Sequence, residues 1–426
     1  MRGERASSVF SKEIFPGGIT VVAEKIPAVR SLAIGVWVKN GSRDESRSQN
    51  GISHFIEHMV FKGTKRKNAY EIAHSLESIG GNLDAFTARE FTCYYARVLD
   101  EYLEQAIDVL SDIVCDSLFE KASVDREKQV VTEEIMSYED TPDELVHDLF
   151  ADTIWSDHPL GGSILGSRES VDSFTSETVR GYFEERYGPE RIVISLAGSF
   201  DCEAALKAIE KSFHFPGNGK ERATVPPGAF DPRVRNFNRD LSQQYICFGT
   251  RGIPFTHPDR MSLLLLTTMV GGGMSSRLFQ SVREREGLAY SVFSYADFYR
   301  DTGLFGCFIG ANPKQGKNAL RCAMKELDEL KKGGMKKSEL DSAKAQLKGN
   351  LLMGLESMSN RMTRLAKSEL YYGRNVTPDE LVSSIEQVKE EEVLRVANGI
   401  LNPEEFSLVV LGPIEPGEYS ASDLTV

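Results

Sequence analysis

Apolar positions along this chain switch between two periods. Residues 19–23 and 31–38 are short β-branched runs, the second apolar enough for a central strand. Gly17-Gly18 marks a turn before them, and residues 41–49 read as a polar loop. Helical spacing follows at 52–61 and at 69–79, which stops at Gly80-Gly81. Residues 82–99 alternate and are rich in Phe, Thr, Tyr and Val, as expected of strand with a loop. At 101–115, Leu103, Ala106, Ile107, Leu110 and Val114 line one helix face. Residues 123–138 predict a long helix with Val124, Val130, Val131 and Ile135 as its apolar stripe. A further helix over 144–154 follows Pro142, and 191–198 is a buried strand.

Pro216, Gly217, Gly219, Pro226, Pro227, Gly228 and Pro232 crowd the midpoint of the chain and predict a linker over 216–235. The pattern then repeats in order: a strand at 244–250, a helix at 260–270, a Gly271-Gly272-Gly273 turn, strands at 290–295 and 303–309, and helices at 317–332 and 337–352. The surroundings of Ala106 recur near Ala319. The expected fold is α+β. It comprises two related domains, 1–215 and 236–426, each a mostly antiparallel sheet packed by helices.

Length and composition suit a chain with large cores: 426 residues, 41% hydrophobic and 27% charged. A core of that size needs no metal staple, so any metal site is expected to serve catalysis. A formal net charge of −13 argues against nucleic acid as a partner and is compatible with basic peptides. Cys93, Cys115, Cys202, Cys247, Cys307 and Cys322 are dispersed and predict free thiols in a reducing compartment. The opening Met1-Arg-Gly-Glu-Arg lacks the apolar run of a secretory signal. With no apolar stretch long enough to span a bilayer, no membrane partner and a cytoplasmic location are expected.

His54-Phe-Ile-Glu57-His58 adds chemistry to this frame. On a helix, positions i, i+3 and i+4 share a face, so both imidazoles can grip one Zn²⁺ with a carboxylate beside them as a base. This is H-x-x-E-H, the zincin order reversed. With seven His in the chain, chance would produce the pattern in roughly one such chain in a hundred. A catalytic zinc also needs a third protein ligand and an open position. The predicted helix 123–138 and its end offer Glu127, Glu133, Glu134 and Glu139. Glu127 and Glu134, two turns apart, share a face, and spacing alone leaves the choice open.

The motif, Gly80-Gly81-Asn82-Leu83-Asp84-Ala85-Phe86-Thr87, His158-Pro159-Leu160-Gly161 and the Gly271–Phe279 segment together resemble the pitrilysin family of inverted-motif zinc peptidases. Within it the chain is most similar to the branch of the mitochondrial processing peptidase beta subunit and its bacterial homologues, over nearly its whole length. The resemblance implies a zinc endopeptidase holding one Zn²⁺ per chain through His54, His58 and Glu134. Glu57 is then the base, and Glu127 a helper that tunes the site. It implies that Arg283 and Tyr290, from the half without the motif, bind the peptide carbonyl or its oxyanion. It implies that the strand at Asp84, Ala85 and Phe86 takes an extended peptide, and that Glu144 and Asp148 bind a basic residue. Asp84 departs from the family's Asn and removes a donor there. Unfolded peptides are the implied substrates and a homodimer the implied assembly. The family also includes non-catalytic scaffolds, and a peptide-binding module is a further alternative.

Overall fold

The computed structural model describes residues 9–215, 219 and 225–425. Met1-Arg-Gly-Glu-Arg and most of the Pro/Gly segment before Val225 lie outside them. The described chain forms two compact units, built from residues within 1–136, 162–224 and 354–376, and within 137–161, 225–353 and 377–426.

The first unit holds β1 (Val9–Ile14), β2 (Thr20–Lys25), β3 (Ser31–Val38), β4 (Asn82–Thr87), β5 (Thr92–Leu99) and β6 (Ile192–Gly198). They form one sheet in the order β1-β2-β6-β3-β5-β4, parallel only between β2 and β6. The second unit holds β7 (Val234–Asn238), β8 (Gln244–Gly252), β9 (Ala289–Phe298), β10 (Gly303–Ala311) and β11 (Ser407–Gly412), ordered β7-β11-β8-β10-β9. Its one parallel pair is β7 with β11. From β2 and β7 onward, the strands follow the same path through both sheets. The repeat expected from sequence is therefore a repeat of topology.

Strand β3 is buried on both faces, which explains its unbroken apolar run. Ile34 and Val36 join the core beneath α1 (Ile52–Met59), α2 (Ala69–Glu77), α3 (Leu103–Cys115) and α4 (Lys121–Glu139). Ala33 and Trp37 face the other way, onto Met362, Leu365 and Ala366 of the helix Met358–Tyr372. In the second unit, α5 (Pro142–Ile154) lays Val146, Phe150 and Ile154 against Cys247, Val409 and Leu411. The compact units thus depart from the expected boundaries 1–215 and 236–426. A two-faced sheet must be covered on both sides, and each unit takes one covering helix from the other half of the chain.

Two local expectations are corrected. Val130 is half exposed, so the stripe of α4 is Val124, Val131 and Ile135. The first part of the polar loop at 41–49 is interior: Ser42, Arg43, Asp44 and Glu45 are buried, with Arg43 paired to Glu90 at 2.7 Å. Its charged side chains are tolerated there because they meet partners. All six cysteines are free. No helix among the described residues is long and apolar enough to cross a membrane.

Candidate metal centre

Helix α1 is short, and its entry is held tightly. Gly51 precedes it with φ +89°, and a Cβ there would meet the Leu165 carbonyl oxygen at 2.6 Å, so glycine is required. The buried Glu45 carboxylate accepts the Gly51 and Ser53 amides at 2.7 and 2.8 Å and the Asn50 side chain at 3.2 Å. Two otherwise unpaired amides of the first turn are thereby satisfied. Burial pushes the Glu45 carboxyl up to about 7 against these donors. Ile52, Phe55, Ile56 and Met59 anchor the helix in the core, which turns His54 and His58 to one side with ring centres 4.6 Å apart.

Helix α4 supplies the carboxylates. Glu134 Oε1 lies 3.7 Å from His54 Nε2, and Glu134 Oε2 lies 3.4 Å from His58 Nε2. Tetrahedral bonds of about 2.0 Å give ligand–ligand edges of about 3.3 Å, so this donor set fits zinc. The ligand atoms of His54, His58 and Glu134 lie within 4.8 Å of one another, and no other such group of His, Cys, Asp or Glu occurs among the described residues. Two turns earlier, the buried Glu127 meets His58 Nδ1 at 2.9 Å and Lys62 Nζ at 2.8 Å. Glu133 is exposed, and Glu139 ends the helix.

The electrostatics divide the two imidazoles. Burial, reinforced by the charge of His58, pulls His54 down to about 3, so its ring is neutral across the physiological range. Burial opposes charge on His58 too, but the Glu127 hydrogen bond and the Glu134, Glu127 and Glu57 carboxylates overcome it and raise its pKa. Glu127 is lowered: hydrogen bonds from His58 and Lys62 outweigh its burial. Burial raises Glu57, with the Thr87 hydroxyl, 2.5 Å from Glu57 Oε2, opposing. A carboxylate of raised pKa beside a metal site suits a base that must also return its proton. His54 Nδ1 is buried with no hydrogen-bond partner, unlike His58 Nδ1.

The strand β4 forms the sheet edge beside α1. Its alternation separates the three residues expected to bind peptide. Ala85 packs with the α1-side core. Phe86 turns to the opposite face, edge-on to Trp37 at 5.6 Å, and Asp84 accepts the Tyr95 hydroxyl at 3.2 Å and the Ala85 amide at 2.8 Å. The strand offers the metal side Ala85 and Thr87.

Glu144, Asp148, Arg283 and Tyr290 belong to the second unit. Glu144 is exposed and Asp148 half-buried on α5. Arg283 lies in a π-helical turn, Phe279–Arg285, with its guanidinium over the rings of Phe279 at 4.7 Å and Tyr290 at 5.1 Å. Tyr290 is exposed. In the helix Arg260–Gly271, the counterpart of α1, Leu263, Leu265, Leu266 and Thr267 are buried where the first half carries His54 and His58. The second half thus repeats the scaffold without the chemistry.

Residues 20–168 match the family model described as insulinase (peptidase family M16), and residues 173–347 match the model of the peptidase M16 inactive domain. An uncharacterised zinc protease of Bacillus subtilis (strain 168) is 41% identical over 93% of this chain and 96% of its own length. One from Streptomyces coelicolor is 38% identical over 99% of this chain and 93% of its own. This chain belongs to peptidase family M16. The three candidate ligands and Glu57 fall in its insulinase segment, and Arg283 and Tyr290 in its inactive-domain segment. A Helicobacter pylori protease shares the M16 fold, with a TM-score of 0.90 at 23% identity over 95% of this chain and 100% of its own. A chain of complex III2 from Candida albicans shares it at 0.84 and 20% identity, covering 97% and 98%.

Glu45, Lys62 and Thr87 were not among the residues expected at the site. Only Thr87 had a local signal: strand alternation sets it on the face of Leu83 and Ala85. Glu45 lies in a polar segment whose burial no periodicity announces.

Proposed function

We propose that this protein is a zinc-dependent endopeptidase that cuts extended, unfolded peptides, with a preference for basic ones. The observation that carries the reading is the convergence of His54, His58 and Glu134 with Glu57 beside them. Bound there, zinc would polarise the scissile carbonyl and acidify the attacking water. Glu57 takes the proton of that water and returns it to the leaving amine. Thr87 keeps the Glu57 carboxylate oriented, and Glu127 fixes the ring of His58 through Nδ1. The edge of β4 is the surface on which a peptide adds as a strand. Arg283 and Tyr290 act as donors to the substrate carbonyl or its oxyanion, and Glu144 and Asp148 engage a basic side chain. The working assembly in this proposal is a homodimer.

The rival is a scaffold without catalysis, since a chain of complex III2 has the same fold. The retained ligand trio and base speak against it. The test is to measure zinc content and then assay a library of quenched-fluorescent peptides. One zinc per chain with cleavage beside Lys or Arg supports the proposal. Zinc without cleavage of any peptide would leave the scaffold reading standing.

A further inference from the structure

We propose that Lys62 is a positioning residue of the metal centre, holding the Glu127 carboxylate against His58 so that the ring presents its other nitrogen to the metal. The inference rests on the reading of His54, His58 and Glu134 as zinc ligands. Lys62 follows His58 by four residues, past the end of α1, where its amide closes a turn onto the Met59 carbonyl at 3.0 Å. Its ammonium therefore returns toward the metal side. It meets Glu127 Oε2 at 2.8 Å, and Glu127 Oε1 meets His58 Nδ1 at 2.9 Å. A three-member chain of ammonium, carboxylate and imidazole results, with one oxygen for each neighbour.

The neighbouring cations show that this pairing is selective. Lys65 pairs with Asp116, and Arg66 and Lys67 pair with Asp108 and Asp112. Among the cations of this segment, Lys62 is the one whose carboxylate also touches a proposed metal ligand. Its partner is also confined. The Glu127 side chain is 4% exposed, so a carboxylate there needs both oxygens engaged. Lys62 itself is about one-third exposed and lines an open cavity of about 310 Å³ with Lys65, Arg66, Lys67 and Asn68. Without its ammonium, Glu127 Oε2 has water in that cavity as its competing partner. The carboxylate is then free to turn from His58, and the ring loses the contact that fixes its orientation and tautomer. Groups that orient a ligand in this way change metal affinity by about 10–100-fold when removed.

The test is a zinc titration of the metal-free full chain against a chromogenic chelator. Wild type, Lys62→Met, Lys62→Arg, Glu127→Gln and the Lys62→Met/Glu127→Gln double variant are compared, with thermal melts of each. Lys62→Met is expected to bind zinc about tenfold more weakly, and Lys62→Arg, which keeps a cation, to recover most of that loss. Adding Lys62→Met to Glu127→Gln is expected to cost little more, because both act through one contact. Wild-type affinity in a folded Lys62→Met, alongside weakened Glu127→Gln, would overturn the role of Lys62 and leave the ligand trio intact. A wild-type chain that takes up no zinc would overturn the trio itself. Equal weakening in Lys62→Met and Lys62→Arg would show that packing, not charge, is what Lys62 supplies.

Discussion

Thr87 Oγ1 donates to Glu57 Oε2 at 2.5 Å, tying the proposed base on α1 to the edge strand β4. The contact fixes one carboxylate oxygen and leaves the other for the proton in transit. Glu57→Gln is expected to lower turnover of a peptide substrate by at least about 10²-fold, with zinc content unchanged because the three ligands are untouched. Thr87→Val is expected to lower kcat about tenfold with little change in KM, and Thr87→Ser to restore it. Steady-state kinetics with metal analysis of each variant checks both. Full cleavage by zinc-loaded Glu57→Gln would remove Glu57 from the mechanism.

Zinc binding should weaken in mild acid, and His58 should set where. A metal ligand must give up its proton, and the carboxylates around His58 raise its pKa above the usual imidazole value. Without metal, protonated His58 stabilises the fold below pH about 6.5, and that contribution is lost as pH rises through its folded pKa. Zinc must displace this proton, so its affinity falls by up to about tenfold per pH unit below the folded pKa of His58. His54, pulled down to about 3, contributes nothing in this window. Glu127→Gln removes the leading cause of the rise, so the onset should move to lower pH. Chelator competition from pH 5.5 to 8 measures the curve; a flat profile would contradict the assignment of His58 as a ligand.

How much of this was legible in the sequence follows from the range of the forces involved. The spacing of His54 and His58 on α1 and the shared face of Glu127 and Glu134 on α4 are each set within a single helix, and they survive folding unchanged. Burial is not local. Val130 is as apolar as Val131, yet it lies half exposed one residue from the stripe. The segment at 41–49 reads as a polar loop, yet Arg43 with Glu90 and Glu45 with the α1 amides satisfy one another inside. The helix Met358–Tyr372 buries Met362, Leu365 and Ala366, but its sequence carries no mark of which sheet it covers.

Glu45 offers a test of that hidden segment. Its folded pKa of about 7 lies above the ordinary carboxyl value. Between about 4.5 and 7 the folded state therefore binds more protons than the unfolded one, and stability from this group falls as pH rises through that window. Glu45→Gln does not titrate. The stability of wild type relative to Glu45→Gln should fall between pH 4.5 and 7, then level off. Glu45→Ala leaves the Gly51 and Ser53 amides unpaired and should cost about 2 kcal/mol or more. Urea denaturation of the metal-free variants at several pH values reads both effects; a pH-independent difference would show that Glu45 stays ionised throughout.

The helix Met358–Tyr372 is bound to a strand more than three hundred residues earlier by a buried charge cluster. Glu24 on β2, 4% exposed, meets Arg361 at 2.8 Å and Arg364 at 3.0 Å. Lys12 reaches Glu369 at 2.8 Å, and the Tyr371 hydroxyl reaches Glu90 at 2.8 Å. Desolvating such charges consumes most of what their attraction returns, so the cluster selects the seat of the helix more than it adds stability. Either arginine can shield Glu24 in part, and Arg361→Met or Arg364→Met alone should cost about 1–2 kcal/mol. Removing both strands a buried carboxylate and should cost about 3–5 kcal/mol, more than the two singles added. Adding Glu24→Leu to that double variant should recover most of the loss, because apolar replacement of a whole buried charge cluster is close to neutral. Additive single effects, or no recovery in the triple variant, would mean that the helix is seated by Met362, Leu365 and Ala366 alone.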